Sequence, residues 1–222
     1  MSGGRAAGRL GLVTDRHRLA AALNHPLADA TNLLIAQAEG AAALGLAFVQ
    51  VREPDLETRT LWRLLSRLVD VAAGRTRILV NDRADVAVAA GAGVHLKHTS
   101  IDALALRAWL PAGTFVSRAV HAVDDVTQAG PVDALVAGTA AATSSKPAAT
   151  PTLGPAGLAA LVAAAASCPV FAIGGLDADD WHWVRRSGAF GVAAIGAFLP
   201  QQGESPDAAV VRAVSAFDAV ID

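Results

Sequence analysis

The chain has a single cysteine, Cys168, which directly precedes an apolar, strand-like run. One thiol excludes an internal disulfide framework. In that setting it reads as an inert core group rather than a nucleophile, in keeping with a reducing, cytoplasmic location. Basic clusters are also missing: charged residues make up 17% of the chain, the formal net charge is -2, and Lys/Arg do not interleave with aromatics. Nucleic acid is therefore not an expected partner. The six histidines are scattered without zinc-site spacing. Met1 to Leu10 lacks the apolar stretch of a signal peptide and reads as a disordered lead-in over residues 1–10. No apolar run suits a bilayer. Ala156 to Ala166 is almost wholly apolar but short, and with Gly154-Pro155 before it and Ser167-Cys168-Pro169 after it, it reads as a packed helix. No low-complexity linker divides the chain, so residues 11–222 read as one domain, and 53% hydrophobic content over 222 residues is enough for one large core.

What the sequence does have is a series of short apolar segments, each closing in polar or glycine residues. They are Gly11–Thr14, Phe48–Arg52, Ile78–Arg83, Gly93–Leu96, Phe115–Arg118, Ala134–Gly138, Pro169–Gly175 and Gly191–Ile195. Helical patterns separate them. Ala28 to Leu44 carries Leu33, Leu34, Ala38 and Ala41 before Gly45, and Leu56 to Ala73 carries Leu61, Leu64, Leu65 and Leu68 before Gly74. Continuous rather than alternating apolar strands indicate a parallel sheet covered by helices. Eight such units predict an α/β fold, a single (β/α)8 TIM barrel, with the doubly wound open sheet as the rival. Trp62, Trp109, Trp181 and Trp183 fall on the outer helices, where packing or a subunit interface accounts for them; a homo-oligomer is left open.

In a barrel the chemistry sits where the strands end. Gly174-Gly175 closes the seventh segment and Gly196 the eighth. Backbone N–H groups at such glycines form a cup for an anion, expected here to be a phosphate. Gln50 and Arg52 share a face at the end of the second segment, and Asn81-Asp82-Arg83 ends the third. Arg52 suits bidentate binding of phosphate or carboxylate, and Asp82 suits a hard cation such as Mg2+. Tight turns and rim salt bridges are the ordinary alternatives.

The ordered set Gln50-Val-Arg-Glu53, Asn81-Asp-Arg83, Gly93-Val-His-Leu96, Ala119-Val-His121, Thr143-Ser-Ser-Lys146, Ala172-Ile-Gly-Gly175 and Gly191-Val-Ala-Ala-Ile195 resembles the thiamine phosphate synthase/TenI superfamily. The resemblance runs from about Leu12 to Leu199. It implies a barrel that binds a thiazole phosphate and one of two activities. The synthase joins an aminopyrimidine diphosphate to that thiazole, losing pyrophosphate with Mg2+ assistance. The tautomerase aromatises a carboxythiazole phosphate by moving a proton, without a metal. Carried over by motif, the substrate-binding residues are Gln50, Arg52, Asn81, Arg118, Thr143, Ser145, Lys146, Gly174, Gly175, Ile195 and Gly196. Asp82 is the metal ligand if the chain is a synthase, and His121 the catalytic proton shuttle of a tautomerase. The Thr143–Lys146 segment and the prolines after it suggest a lid.

The chain departs from the synthase pattern on one side. The lysine of the Gln-x-Arg-x-Lys motif is Pro54, the acidic residue after the Gly-Val-His-Leu strand is Ser100, and the serine before His121 is Ala119. Gly138-Thr-Ala-Ala-Ala142 replaces a bulkier pyrimidine wall. Asp102 and Lys97 are the nearest substitutes for the lost carboxylate and cation. Since each lost donor costs a rate factor of about 10² to 10³, these departures lead to the expectation of a thiazole tautomerase. The alternatives are a thiamine phosphate synthase with compensating residues and a non-catalytic binder of a thiamine intermediate.

Overall fold

Eight parallel strands close into a barrel in chain order, β1 to β8, with β8 pairing back onto β1. The structure is a computed structural model and describes residues 6–143 and 150–220. The strands are β1 (Leu10–Val13), β2 (Phe48–Val51), β3 (Arg77–Asn81), β4 (Gly93–Leu96), β5 (Val116–Val120), β6 (Ala134–Gly138), β7 (Val170–Ile173) and β8 (Gly191–Ala194). Each lies within or beside the segment expected from the sequence. Around them pack α1 (Arg16–Leu23), α2 (Ala30–Leu44), α3 (Thr58–Ala72), α4 (Ala84–Ala90), α5 (Ala103–Arg107), α6 (Val123–Thr127), α7 (Gly154–Ala164), α8 (Trp181–Arg186) and α9 (Pro206–Asp218).

Local chemistry accounts for the helix ends. The Glu57 side chain caps α3 by accepting from the Thr60 N–H, and Leu61, Leu64, Leu65, Leu68 and Ala72 form its buried stripe. Gly45 ends α2 in the left-handed region, as its position after the last apolar residue predicts. At the end of α3 that conformation is taken by Ala73 and by the expected Gly74 together. Trp109 lies in the turn after α5 rather than on the helix, and Trp181 is fully buried beneath α9 against Phe217.

Strand parity divides the core in two. Val13, Phe48, Leu79, Val136, Phe171 and Ala193 fill the barrel interior, while the larger cluster lies between strands and helices. Phe48 and Phe171 meet edge to face with centroids 5.0 Å apart. Phe48 fits because Gly11 stands opposite it, where any Cβ would run into the ring. Truncating such a ring would cost about 3–5 kcal/mol.

The lead-in expected over residues 1–10 needs correction from Ala6 onward. Ala6 is fully buried, its N–H donates to Asp218 Oδ1 at 2.6 Å, and Ala7–Arg9 form a 3-10 turn feeding β1. Residues 1–5 lie outside the described residues. Among the described residues, no helix is long and apolar enough to cross a membrane.

Candidate active site at the carboxyl ends of the strands

A cavity of about 650 Å³ opens where the strands end, floored by Val13, Gln50, Asn81, His95, Val136, Ile173 and Ile195. Gln50 Nε2 donates to Asn81 Oδ1 at 3.2 Å, but its buried Oε1 has no partner among the described residues. A buried amide oxygen without a donor costs free energy, so this acceptor is suited to a ligand N–H or O–H. Beside it, His95 is buried with Nδ1 2.9 Å from Ser117 Oγ. Burial pushes its pKa down to about 4 against the opposing pull of Asp82, so the ring is neutral near pH 7.

One rim is cationic: Arg52 and Lys97 line the cavity there, and Lys97 Nζ lies 2.7 Å from Asp82 Oδ2; His98 and Arg18 line the cavity as well. The Ser100 hydroxyl donates to Asp82 Oδ1 and itself accepts from the Lys97 backbone N–H at 2.9 Å. For Asp82, burial works against ionisation. The bonds from Lys97 and Ser100 outweigh it and hold the carboxyl below its ordinary range. The register Asn81↔His95 places the ends of β3 and β4 side by side, which lets a residue after β4 reach the carboxylate after β3.

The opposite rim carries the glycines. Gly174 and Gly175 have φ of 101° and 68°, and a Cβ on Gly175 would fall on the carbonyl oxygens of Ala141 and Ala142. No other residue accommodates both constraints. Gly196 follows Ile195 and opens a 3-10 turn, with Arg18 Nη2 3.7 Å from where a Gly196 Cβ would stand. Arg18 thus brings a guanidinium to the glycine cup. The sequence reading missed it, because nothing in the order of residues links the start of α1 to the turn after β8.

Other expected site residues are placed as follows. Thr143 lines the cavity; Ser145 and Lys146 lie outside the described residues. His121 lines it as well, its Nδ1–H donating to the Gly138 carbonyl while its ring meets His98 edge to face at 4.7 Å. Arg118 is corrected as a substrate contact. On β5, Ser117 and Ala119 turn inward, so Arg118 turns outward, where Nη2 donates to the carbonyl of Ile101 and reaches that of Ser100 at 3.5 Å. Its observed work is to hold the loop that carries Ser100. Asp102 is likewise no substitute carboxylate here: its side chain caps α5 by accepting from the Ala105 N–H at 3.0 Å.

A second polar group, also not read from the sequence, braces the mouth. Glu53 is buried and accepts from Thr14 Oγ1 at 2.6 Å and from the Arg16 backbone and guanidinium at 3.1 and 3.2 Å. Arg16 also grips Asp55 with two bonds, at 2.5 and 2.6 Å. Burial raises the Glu53 pKa even though Thr14 and Arg16 favour its charge. The cluster ties the loop after β1 to the loop after β2 and so fixes Arg52, whose N–H donates to Thr14 Oγ1 at 3.0 Å.

The fit of a divalent cation can be tested on these groups. Among the described residues, no three His, Cys, Asp or Glu side chains gather to hold a metal. Both oxygens of Asp82 are engaged, by an ammonium and a hydroxyl, and Asp15 spends an oxygen capping α1. The Mg2+ expected for a synthase does not fit the side chains as they stand.

Comparison with known proteins places this geometry in context. The family model described as thiamine monophosphate synthase matches residues 12–198. The thiamine-phosphate synthase of Anaeromyxobacter dehalogenans is 37% identical over 188 residues, 83% of each chain. That of Albidiferax ferrireducens is 35% identical over 218 residues, 96% of this chain and 93% of the relative. A solved thiamine phosphate pyrophosphorylase from Pyrococcus furiosus superposes with a TM-score of 0.76 at 25% identity, covering 98% and 99% of the two chains. These relatives overturn the tautomerase expectation in favour of its synthase alternative. Lys97, named from the sequence as the nearest substitute for the lost cation, does stand against Asp82 at the cavity.

Proposed function

The chain belongs to the thiamine monophosphate synthase family, and on that premise we propose that it joins an aminopyrimidine diphosphate to a thiazole phosphate, releasing pyrophosphate. The family makes it an enzyme of thiamine biosynthesis; the particular transfer is the reading supported here. The observation that carries it is one cavity lined by Gly174 and Ile195, next to Gly175 and Gly196, and also by the cations Arg52 and Lys97, which gives two regions suited to anions. A reaction between a monophosphate and a diphosphate needs two such regions a ring or two apart.

In this reading the thiazole phosphate rests on the N–H groups of the glycine cup, with Arg18 over it. The aminopyrimidine lies over the floor, where the open Gln50 Oε1 accepts from its amino group. Its diphosphate meets Arg52, which can clamp two oxygens at once. The C–O bond to the diphosphate breaks with both electrons leaving on oxygen, and the thiazole nitrogen lone pair forms the new N–C bond to the exposed carbon. Charge develops on the leaving oxygen, so fixed cations at that rim lower the barrier. The cations that meet the leaving group in this reading are the chain's own Arg52 and Lys97, since Asp82 already carries Lys97 and the Ser100 hydroxyl.

The test is formation of thiamine phosphate from the two substrates by the purified protein, followed by chromatography. Product above background, lost in Arg52→Ala, supports the reading. Binding of thiazole phosphate with no product under any metal condition would refute it and leave a binder.

A further inference from the structure

We infer that Lys97 is a built-in cation of the diphosphate subsite, seated on Asp82 where a carboxylate-bound divalent ion would otherwise neutralise the leaving group. The inference rests on the proposed transfer and identifies how the chain compensates its missing ligands.

The geometry supports it in three ways. Asp82 is the carboxylate that ends β3 beside the cavity, and its two oxygens are taken by Lys97 Nζ at 2.7 Å and by the Ser100 hydroxyl. A divalent ion on this carboxylate would have to sit against the ammonium already bound there, and among the described residues no second and third ligand gather near it. Lys97 spends one of its three donors on Asp82 and is half-exposed, with its side chain lining the same cavity as Arg52 and Asn81. Two N–H groups therefore remain for phosphate oxygens. Finally, the ammonium is held rather than loose. Ser100 bonds both the Asp82 carboxylate and the Lys97 backbone, and the Arg118 guanidinium pins the carbonyl of Ile101 just beyond Ser100. Asp82 acts here as a positioning residue for a cation the chain carries itself. Arg52 adds the second positive charge, so the rim stays cationic after Asp82 has offset one of the two.

The test is calorimetric titration of the full chain with inorganic pyrophosphate, once in EDTA and once in excess Mg2+. The variants are Lys97→Ala and the double variant Lys97→Gly with Ser100→Asp. Lys97 is solvent-exposed, and a thermal melt of each variant checks that the fold is intact. The wild type is expected to bind pyrophosphate in EDTA and to gain no affinity from Mg2+. Lys97→Ala should lose about ten- to a hundredfold in EDTA, the usual worth of one charge-assisted bond. The double variant, which exchanges the ammonium for a second carboxylate, should bind in Mg2+ and not in EDTA. Wild-type binding that appears only with Mg2+, equal binding by Lys97→Ala in EDTA, or no binding in either buffer would each overturn the inference. If the wild type makes thiamine phosphate but needs Mg2+ to bind pyrophosphate, the inference falls and the proposed reaction stands. Metal-free binding without turnover of the full substrates is the reverse case.

Discussion

Lowering the pH should destabilise this barrel through His95 well before the surface carboxylates titrate. In the folded chain His95 is buried against Ser117, and burial holds its pKa at about 4, whereas the unfolded ring titrates near 6.5. Between those values the unfolded chain binds a proton that the folded chain refuses, so stability is complete above about pH 6.5 and falls as pH drops toward 4. The full gap corresponds to roughly 3 kcal/mol, and the part lost between about pH 7.5 and 5 is roughly 2 kcal/mol. Urea titrations at a series of pH values read this loss directly, provided other titrating groups are subtracted. His95→Asn does that: it removes the ring, keeps a side chain able to bond Ser117, and adds a cost for lost volume that does not vary with pH. Wild type minus variant should therefore show a slope across this window. Parallel curves for the two proteins would refute the reasoning, since His95 would then titrate alike folded and unfolded.

Three further outcomes follow from the packing and charges of the mouth. Gly175→Ala forces a left-handed alanine onto the carbonyl oxygens of Ala141 and Ala142, so urea unfolding should show a loss of about 2–4 kcal/mol, and an unchanged midpoint would contradict the crowding. Arg16→Ala leaves Glu53 buried with only Thr14 and one backbone N–H. A destabilisation of about 3 kcal/mol is expected, repaired in part by Glu53→Gln in the same chain, and additive losses in the double-mutant cycle would deny their coupling. Arg52→Lys keeps the charge but loses the planar fork, so kcat/KM for thiamine phosphate formation should fall by about tenfold or more, with Arg52→Ala lower still; full activity of Arg52→Lys would show that a point charge suffices there.

The barrel was legible because it rests on repeated, local signals. Most strand positions are buried on either face, so the segments read as largely apolar runs broken only by residues such as Gln50, His95 and Ser117, and helix ends are marked by residues such as Gly45 that tolerate the left-handed region. The turn that closes β7 was legible for the same reason: Gly174 and Gly175 sit where only glycine fits. What escaped depends on parity and on neighbours across the barrel. Arg118 was placed at the substrate by its motif, although Val116 and Val120 flanking it at alternate positions mark the outward face and Ser117 and Ala119 the inward one. Arg18 over Gly196 and Thr14–Arg16 around Glu53 join loops far apart in the chain, and no periodicity announces such meetings.

The same distinction explains why the tautomerase expectation failed. Motif comparison scores Pro54 for a lysine and Ser100 for a carboxylate as two losses, each counted at its own position. A site, however, responds to the charges present in a volume, whichever strand end supplies them. Pro54, which stands in the motif lysine's place after β2, and Lys97 after β4 line the same mouth, and the pairing of β3 with β4 lets Lys97 reach Asp82. Ser100, where the family motif has a carboxylate, donates to Asp82 and accepts from the Lys97 backbone, so on the inference above the two positions should act as a coupled pair. Coupled changes leave a distinct thermodynamic trace: restoring Asp at position 100 while Lys97 remains should not create a metal site, and removing Lys97 while Ser100 remains should not either. Only the pair converts one kind of subsite into the other.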